Sequence, residues 1–88
     1  MKLTKASREF LRRNFWEDNQ HIDQIEDAIG FTDFWHQGKM LTVGEALKLC
    51  GQEKFLSAMD RSAFHRTADV TMDDGTIVHF DSRRFFRD

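Results

Sequence analysis

The segment from Leu41 to Phe80 constrains the fold most, because four structural signals follow one another in it without slack. Thr42-Val43-Gly44-Glu45 reads as a capping box. In that arrangement the Thr hydroxyl accepts from the Glu45 backbone N–H, while the Glu carboxylate reaches back to the N–H of Thr42. Val43, Ala46, Leu47 and Cys50 then share one helical face, and Gly51 follows as a stop. From Glu53 to about His65 a further helix places Phe55, Leu56, Met59 and Ala63 on one side, with Lys54, Ser57, Arg61 and His65 opposite them.

Two alternating runs, 68–72 and 76–80, flank Asp73-Asp74-Gly75 and predict a β-hairpin. A two-residue Asp74-Gly75 turn would set Val70 opposite His79. A three-residue loop with Gly75 left-handed sets Val70 opposite Val78 and Ala68 opposite Phe80. The second register is preferred, since it gathers the apolar side chains on one face and leaves Asp69, Thr71, Ile77 and His79 outside.

Upstream, a helix is predicted from Thr4, its N-cap, to about Glu17, with Ala6, Phe10, Leu11 and Phe15 as the apolar stripe and Lys5, Arg8 and Arg12 as a basic ridge. Asp18 or Asn19 caps a second helix in which Ile22, Ile25, Ala28 and Ile29 recur, and Gly30 is expected to end it as a left-handed residue. The second helix carries Asp23, Glu26 and Asp27 outward. Phe31, Phe34 and Trp35 crowd around Thr32, a potential cap, and predict a helical turn that plugs the core and closes at Gly38; the alternative is that part of this group is an exposed anchor for a partner. Arg83-Arg84-Phe85-Phe86-Arg87 is either a return segment docking two Phe on the core or a frayed tail.

At 88 residues, with 40% hydrophobic content and nine Phe, the chain is expected to form a single domain, 1–88, around one modest core. Its parts are a helical segment 1–40, a helix-turn-helix plus hairpin 41–80, and a C-terminal segment 81–88. The fold class is α+β and mainly α: four to five short helices followed by a C-terminal β-hairpin. The lone Cys50 can form neither an intramolecular disulfide nor a Cys-based zinc site, so packing alone must hold the fold. There is no apolar signal core or membrane-length run, and an intracellular, cytoplasmic protein is expected.

Net charge is −2, but the charges are segregated. Lys2, Lys5, Arg8, Arg12 and Arg13 make the start basic, whereas Glu17 to Gly38 contains acidic residues and no Lys or Arg. Either the folded molecule has faces of opposite sign, or these segments neutralise each other.

The run from Leu41 to Gly51 resembles the opening of the helix-turn-helix in excisionase-like and MerR-like winged-helix domains, in which a Leu-Thr-Val start leads to Glu-Ala, a Leu and a closing Gly. The resemblance implies a winged-helix-like fold with Thr42 as the cap, Ala46 as the small contact residue and Gly51 as the turn. The next helix would be the recognition helix, with Lys54, Ser57 and Arg61 as contacts, and 73–75 would be the wing. Two positions depart from the family pattern. Gln52-Glu53-Lys54 lacks the Ser that usually caps the recognition helix, and the wing tip carries two carboxylates that phosphates would repel.

His21, His36, His65 and His79 have no helical metal spacing, and no P-loop, dinucleotide fingerprint or nucleophile elbow occurs. Neither a cofactor nor catalysis is expected, although His65, His79 and Asp81 could approach one another in space. Two functions lead, and a structural subunit or adaptor of a larger assembly would look the same at this level. In the first, the chain is a small protein-binding regulator or inhibitor of the kind a phage or mobile element encodes. Asp23, Glu26, Asp27, Asp73 and Asp74 would then cover a basic, nucleic-acid-binding surface of a larger protein or nucleoprotein complex. In the alternative, Lys54, Ser57, Arg61 and His65 enter the major groove of double-stranded DNA, while Arg66, Arg83 and Arg84 hold phosphates. A homodimer would fit the second role, and a membrane partner fits neither.

Overall fold

Four α-helices and a four-stranded antiparallel sheet make up the computed structural model, which describes residues 2–86. Arg87, the last of the C-terminal arginines, lies outside the described residues.

Helix α1 (Lys5–Asn14) begins where the Thr4 hydroxyl oxygen accepts from the Ser7 N–H at 3.1 Å. It stops short of the expected Glu17, because the Asn14 amide donates to the Phe10 carbonyl and the N–H groups of Phe15 and Trp16 both converge on the Leu11 carbonyl. The predicted stripe is also corrected. Ser7 and Leu11 face inward, whereas Ala6 and Phe15 are exposed. Ser7 is buried because its hydroxyl accepts from the Gln52 side chain at 3.0 Å, a polar contact that hydrophobic periodicity cannot register.

In α2 (Asn19–Ile29), Asp18 is the cap, accepting from the Gln20 N–H at 2.8 Å, and Ile22, Ile25, Ala28 and Ile29 are buried as their spacing predicts. Gly30 is right-handed, with φ −67°, not left-handed. A run of tight bonds from Gly30 to Asp27, Phe31 to Ala28 and Thr32 to Ile29 ends the helix instead.

The largest correction concerns the helical segment expected over 1–40. The turn predicted around Phe31, Phe34 and Trp35 is a β-hairpin, β1 (Asp33–His36) and β2 (Lys39–Leu41), so the strands are not confined to the C-terminus. Gln37 and Gly38 both have positive φ, 52° and 77°, the pattern of a two-residue hairpin turn matched to strand twist. Alternation then splits the aromatic group: Phe34 is 1% exposed, while Trp35 is 38% exposed on the opposite face. Phe31, 46% exposed, precedes the strand and packs near Phe85.

The remaining elements follow the expected order: α3 (Val43–Cys50), α4 (Gln52–His65), β3 (Thr67–Thr71) and β4 (Ile77–Asp81). Both bonds of the Thr42–Glu45 capping box form, at 2.9 and 3.1 Å. The Thr42 N–H and hydroxyl hold the Glu45 carboxyl below its ordinary range. Replacing Thr42 with Ala should cost about 0.5–2 kcal/mol, read as a lower thermal midpoint, and Thr42→Ser should restore most of it. An unchanged midpoint in the Ala variant would show that tertiary packing alone sets the start of α3.

Gly51, with φ 83°, joins α3 directly to α4, whose start has no side-chain cap. The hairpin adopts the three-residue-loop register, with Val70 opposite Val78 and Ala68 opposite Phe80. The sheet order is β2-β1-β4-β3. One sheet face packs Phe34, Val70, Val78 and Phe80 into the helical core, and Cys50 lies in that same core, where burial pushes its thiol pKa up.

A chain of buried hydroxyls ties α2, α4 and β4 together. Thr32, expected as a helix cap, donates to the Ala28 carbonyl at 2.7 Å and so accepts from Ser82, at 2.6 Å, which in turn accepts from Ser62. Beyond Ser82, a 3₁₀ turn (Arg83–Phe86) returns Phe85 onto the core and sets Phe86 beneath the Arg66 guanidinium, 5.0 Å from the ring centre. Through residue 86 the segment docks, with one Phe, not two, on the core.

Candidate functional site

The outward side of α4 is the floor of a groove of about 410 Å³. Glu53, Lys54, Ser57 and Arg61 form the floor, Phe10, Asn14 and Phe15 of the α1 end form one wall, and Asp69, Val70 and Thr71 of β3 form the other. The α1 wall is fastened alongside α4 at both ends. At one end Gln52 donates to Ser7, and at the other the Trp16 indole N–H donates to the Asp60 carboxylate while its ring stacks on His21, with centroids 4.3 Å apart. Trp16 also packs against Phe64, at 5.3 Å.

Within the groove, Arg61 donates to the Ser57 hydroxyl at 3.0 Å and to the Asp69 backbone carbonyl at 3.1 Å, so its guanidinium spans from α4 to β3. Lys54 lies 3.8 Å from Asp73 of the hairpin loop. The Asp69 carboxylate is turned to the other sheet face, where it meets His79 at 2.6 Å. The floor therefore presents two cations against the single carboxylate of Glu53.

The acidic positions expected to meet a partner do not form one face. Arg8 of α1 bridges Asp23, at 2.7 Å, and Glu26, at 3.5 Å, and Glu26 also accepts from the Leu3 N–H at 2.8 Å. Here the basic first helix and the acidic second helix neutralise each other. Asp27 remains exposed. Asp73 is near Lys54, and Asp74 accepts from both the N–H and the hydroxyl of Thr76, which hold its pKa down.

The basic positions also divide. Lys54, Ser57 and Arg61 lie together in the groove, and His65 is exposed at the far end of α4. Arg66, at φ 78°, is held by its stack on Phe86 and by its carbonyl accepting from the Ser82 N–H at 2.7 Å. Arg83 forks onto Asp81, which depresses that carboxyl's pKa, and Arg84 pairs with Asp33 at 2.9 Å. These last arginines sit beyond the end of β4 opposite to the Asp73-Asp74 loop, a strand's length away.

His79 and Asp81 are thus engaged with Asp69 and Arg83, and neither contacts His65 by hydrogen bond. Among the described residues no three His, Cys, Asp or Glu side chains gather as a metal site, and no helix is long and apolar enough to cross a membrane. Sequence reasoning missed the groove walls. Phe10 and Phe15 read as core by periodicity; Phe10 does pack partly against the core and also lines the groove, whereas Phe15, just past the stop at Asn14, is exposed there. No protein-family model, curated protein or solved structure matches this chain.

Proposed function

We propose that this protein is a small non-catalytic regulator that acts by binding, and so occupying, a surface of a larger protein. The observation that supports this reading is the recessed position of α4. A helix reads DNA by entering a major groove about 12 Å wide, which admits one helix of about 10–12 Å diameter. With α1 fastened alongside, the outward face of α4 is concave and suits a protruding protein segment. Of the arginines a DNA reader would use, Arg61, Arg83 and Arg84 are already committed to the Asp69 carbonyl, Asp81 and Asp33. Asp27 on α2 and Asp73 and Asp74 in the hairpin loop remain as the acidic positions through which a basic partner surface would be engaged.

The test combines two probes. A benzophenone side chain at position 57 should crosslink to a protein in extract of the native cells, and the adduct should vanish when Lys54 and Arg61 are both changed to Glu. Labelled mixed-sequence duplex DNA should give no anisotropy change even at low salt. DNA binding whose log affinity falls linearly with log salt, without a protein adduct, would overturn the proposal.

A winged-helix DNA-binding regulator is the second reading, favoured by the element order. The succession α2, β1, α3, α4, β3, β4, with β1 pairing β4 and β4 pairing β3, is the order expected of a winged helix carrying an extra strand, β2. Under that reading Arg61 must leave Asp69, and Arg61→Ala would weaken specific binding by about 1–3 kcal/mol.

A further inference from the structure

We infer that the groove takes an extended segment of the partner protein, which pairs with the open edge of β3 and presents a carboxylate to Arg61. This inference rests on the protein-binding reading above and specifies its chemistry. It begins with the parity of the β3–β4 ladder. The Met72 N–H donates to the Thr76 carbonyl and the Ser82 N–H to the Arg66 carbonyl, both at 2.7 Å. In an antiparallel pair, residues alternate between bonding the partner strand and facing away. The even-numbered residues of β3 therefore bond β4, and Asp69 and Thr71 turn their backbone groups outward.

The position of Arg61 agrees: it reaches the Asp69 carbonyl from α4, so that edge opens into the groove. Among the described residues no hydrogen bond satisfies the N–H groups of Asp69 and Thr71 or the carbonyl of Thr71. A row of unpaired strand groups is a template for another strand. Asp69 and Thr71 are roughly 7 Å apart along the strand, the two-residue repeat that an extended chain reproduces. A segment pairing with Asp69 and Thr71 would lie about 4.8 Å from β3, where the Arg61 side chain now reaches across from α4.

Charge and apolar surface define the occupant further. Lys54 and Arg61 favour a carboxylate, while Phe10 and Phe15 offer apolar contacts for alternate side chains. In the free protein Arg61 caps the Asp69 carbonyl and so guards the edge. When the segment docks, its N–H takes that carbonyl and its carboxylate takes the guanidinium, a charge-assisted and bidentate exchange for a neutral acceptor.

The experiment uses the full chain labelled with nitrogen-15 and, as probe, an end-capped nine-residue peptide with valine at alternate positions and a central glutamate. At saturating peptide the amides of Asp69 and Thr71 should shift and exchange at least tenfold more slowly. Methylating the peptide nitrogens that face β3 should weaken binding at least tenfold, and lysine in place of glutamate should weaken it several-fold at low salt. Thr71→Pro deletes an outward N–H without touching the β3–β4 ladder, and it should weaken binding tenfold while the thermal midpoint stays close to that of the parent. Unmoved Asp69 and Thr71 amides at millimolar peptide, or equal binding of the methylated peptide, would overturn the inference. Protection of those amides that rises with protein concentration alone would also overturn it, by identifying a second copy of the chain as the occupant. If strand pairing fails in these ways while the crosslink at position 57 persists, the protein-binding reading stands without it; loss of that crosslink removes the reading itself.

Discussion

Truncating Phe80 to Ala should destabilise the protein by about 3–5 kcal/mol, the range of a fully buried aromatic ring. Phe80 lies on β4, an interior strand of the sheet, with Phe34 opposite it on β1 and Ala68 opposite it on β3. Its ring meets Phe34 edge-on at 5.0 Å and Phe55 at 5.6 Å, and all three rings are essentially without solvent exposure. Removal would leave a void bordered by the two other rings and by Ala68, which is too small to collapse into it. The loss includes both the transfer free energy of the ring and the edge-to-face contacts, which contribute about 0.5–1.5 kcal/mol beyond buried area. A domain of this size has a total stability of roughly 4–13 kcal/mol, so the variant should lie near the threshold of folding. Urea titration followed by Trp fluorescence should show a lower midpoint at unchanged slope. A change below about 1 kcal/mol would mean that the three rings do not form one packed unit.

Gly51 is the second such position, for a different reason. Its φ of 83° and ψ of 155° fall in a region that is essentially glycine-only, and this one residue carries the chain from α3 into α4. A Cβ built there meets nothing within 4 Å, so the penalty of Gly51→Ala is conformational and not steric, about 1–3 kcal/mol. Gly44 is the internal control. It lies in α3, where an added Cβ meets only the Thr42 hydroxyl at 4.0 Å, and Gly44→Ala should stabilise by roughly 0.5–1 kcal/mol. The two substitutions are chemically identical and should move the unfolding midpoint in opposite directions. Equal shifts of the same sign would show that the α3–α4 junction can re-form without a glycine conformation. Because the junction sets the direction of α4, Gly51→Ala should also disturb the groove, visible as loss of the position-57 crosslink in the folded fraction.

Elements held by local chemistry were legible in the sequence. The Thr42–Glu45 box, the Ile22–Ile29 stripe and the Gly75 loop each specify their geometry within a few residues, since the bonds and the buried face involve near neighbours. The first hairpin was not legible in this way. Its two strands are short, and Phe34 becomes a strand residue by pairing with Phe80, far along the chain. A crowd of aromatic residues before a glycine supports a helical turn or a hairpin equally well until that partner is known.

The candidate site divides along the same line. Helical rotation alone places Lys54, Ser57 and Arg61 on the solvent side of α4. Whether that side is a ridge or a groove depends on α1, and the contacts that fasten α1 run from Ser7 to Gln52 and from Trp16 to Asp60, between residues remote in sequence. The neutralisation of Asp23 and Glu26 by Arg8 is likewise a matter of helices meeting, not of charge counts. The sequence by itself determined the helices, the later hairpin and which residues of α4 face solvent, because propensity, capping and periodicity act over single turns. Only the tertiary structure decided that the sheet has four strands and that α4 is recessed. Both depend on side chains and strand edges brought together across the chain, where local signals are silent.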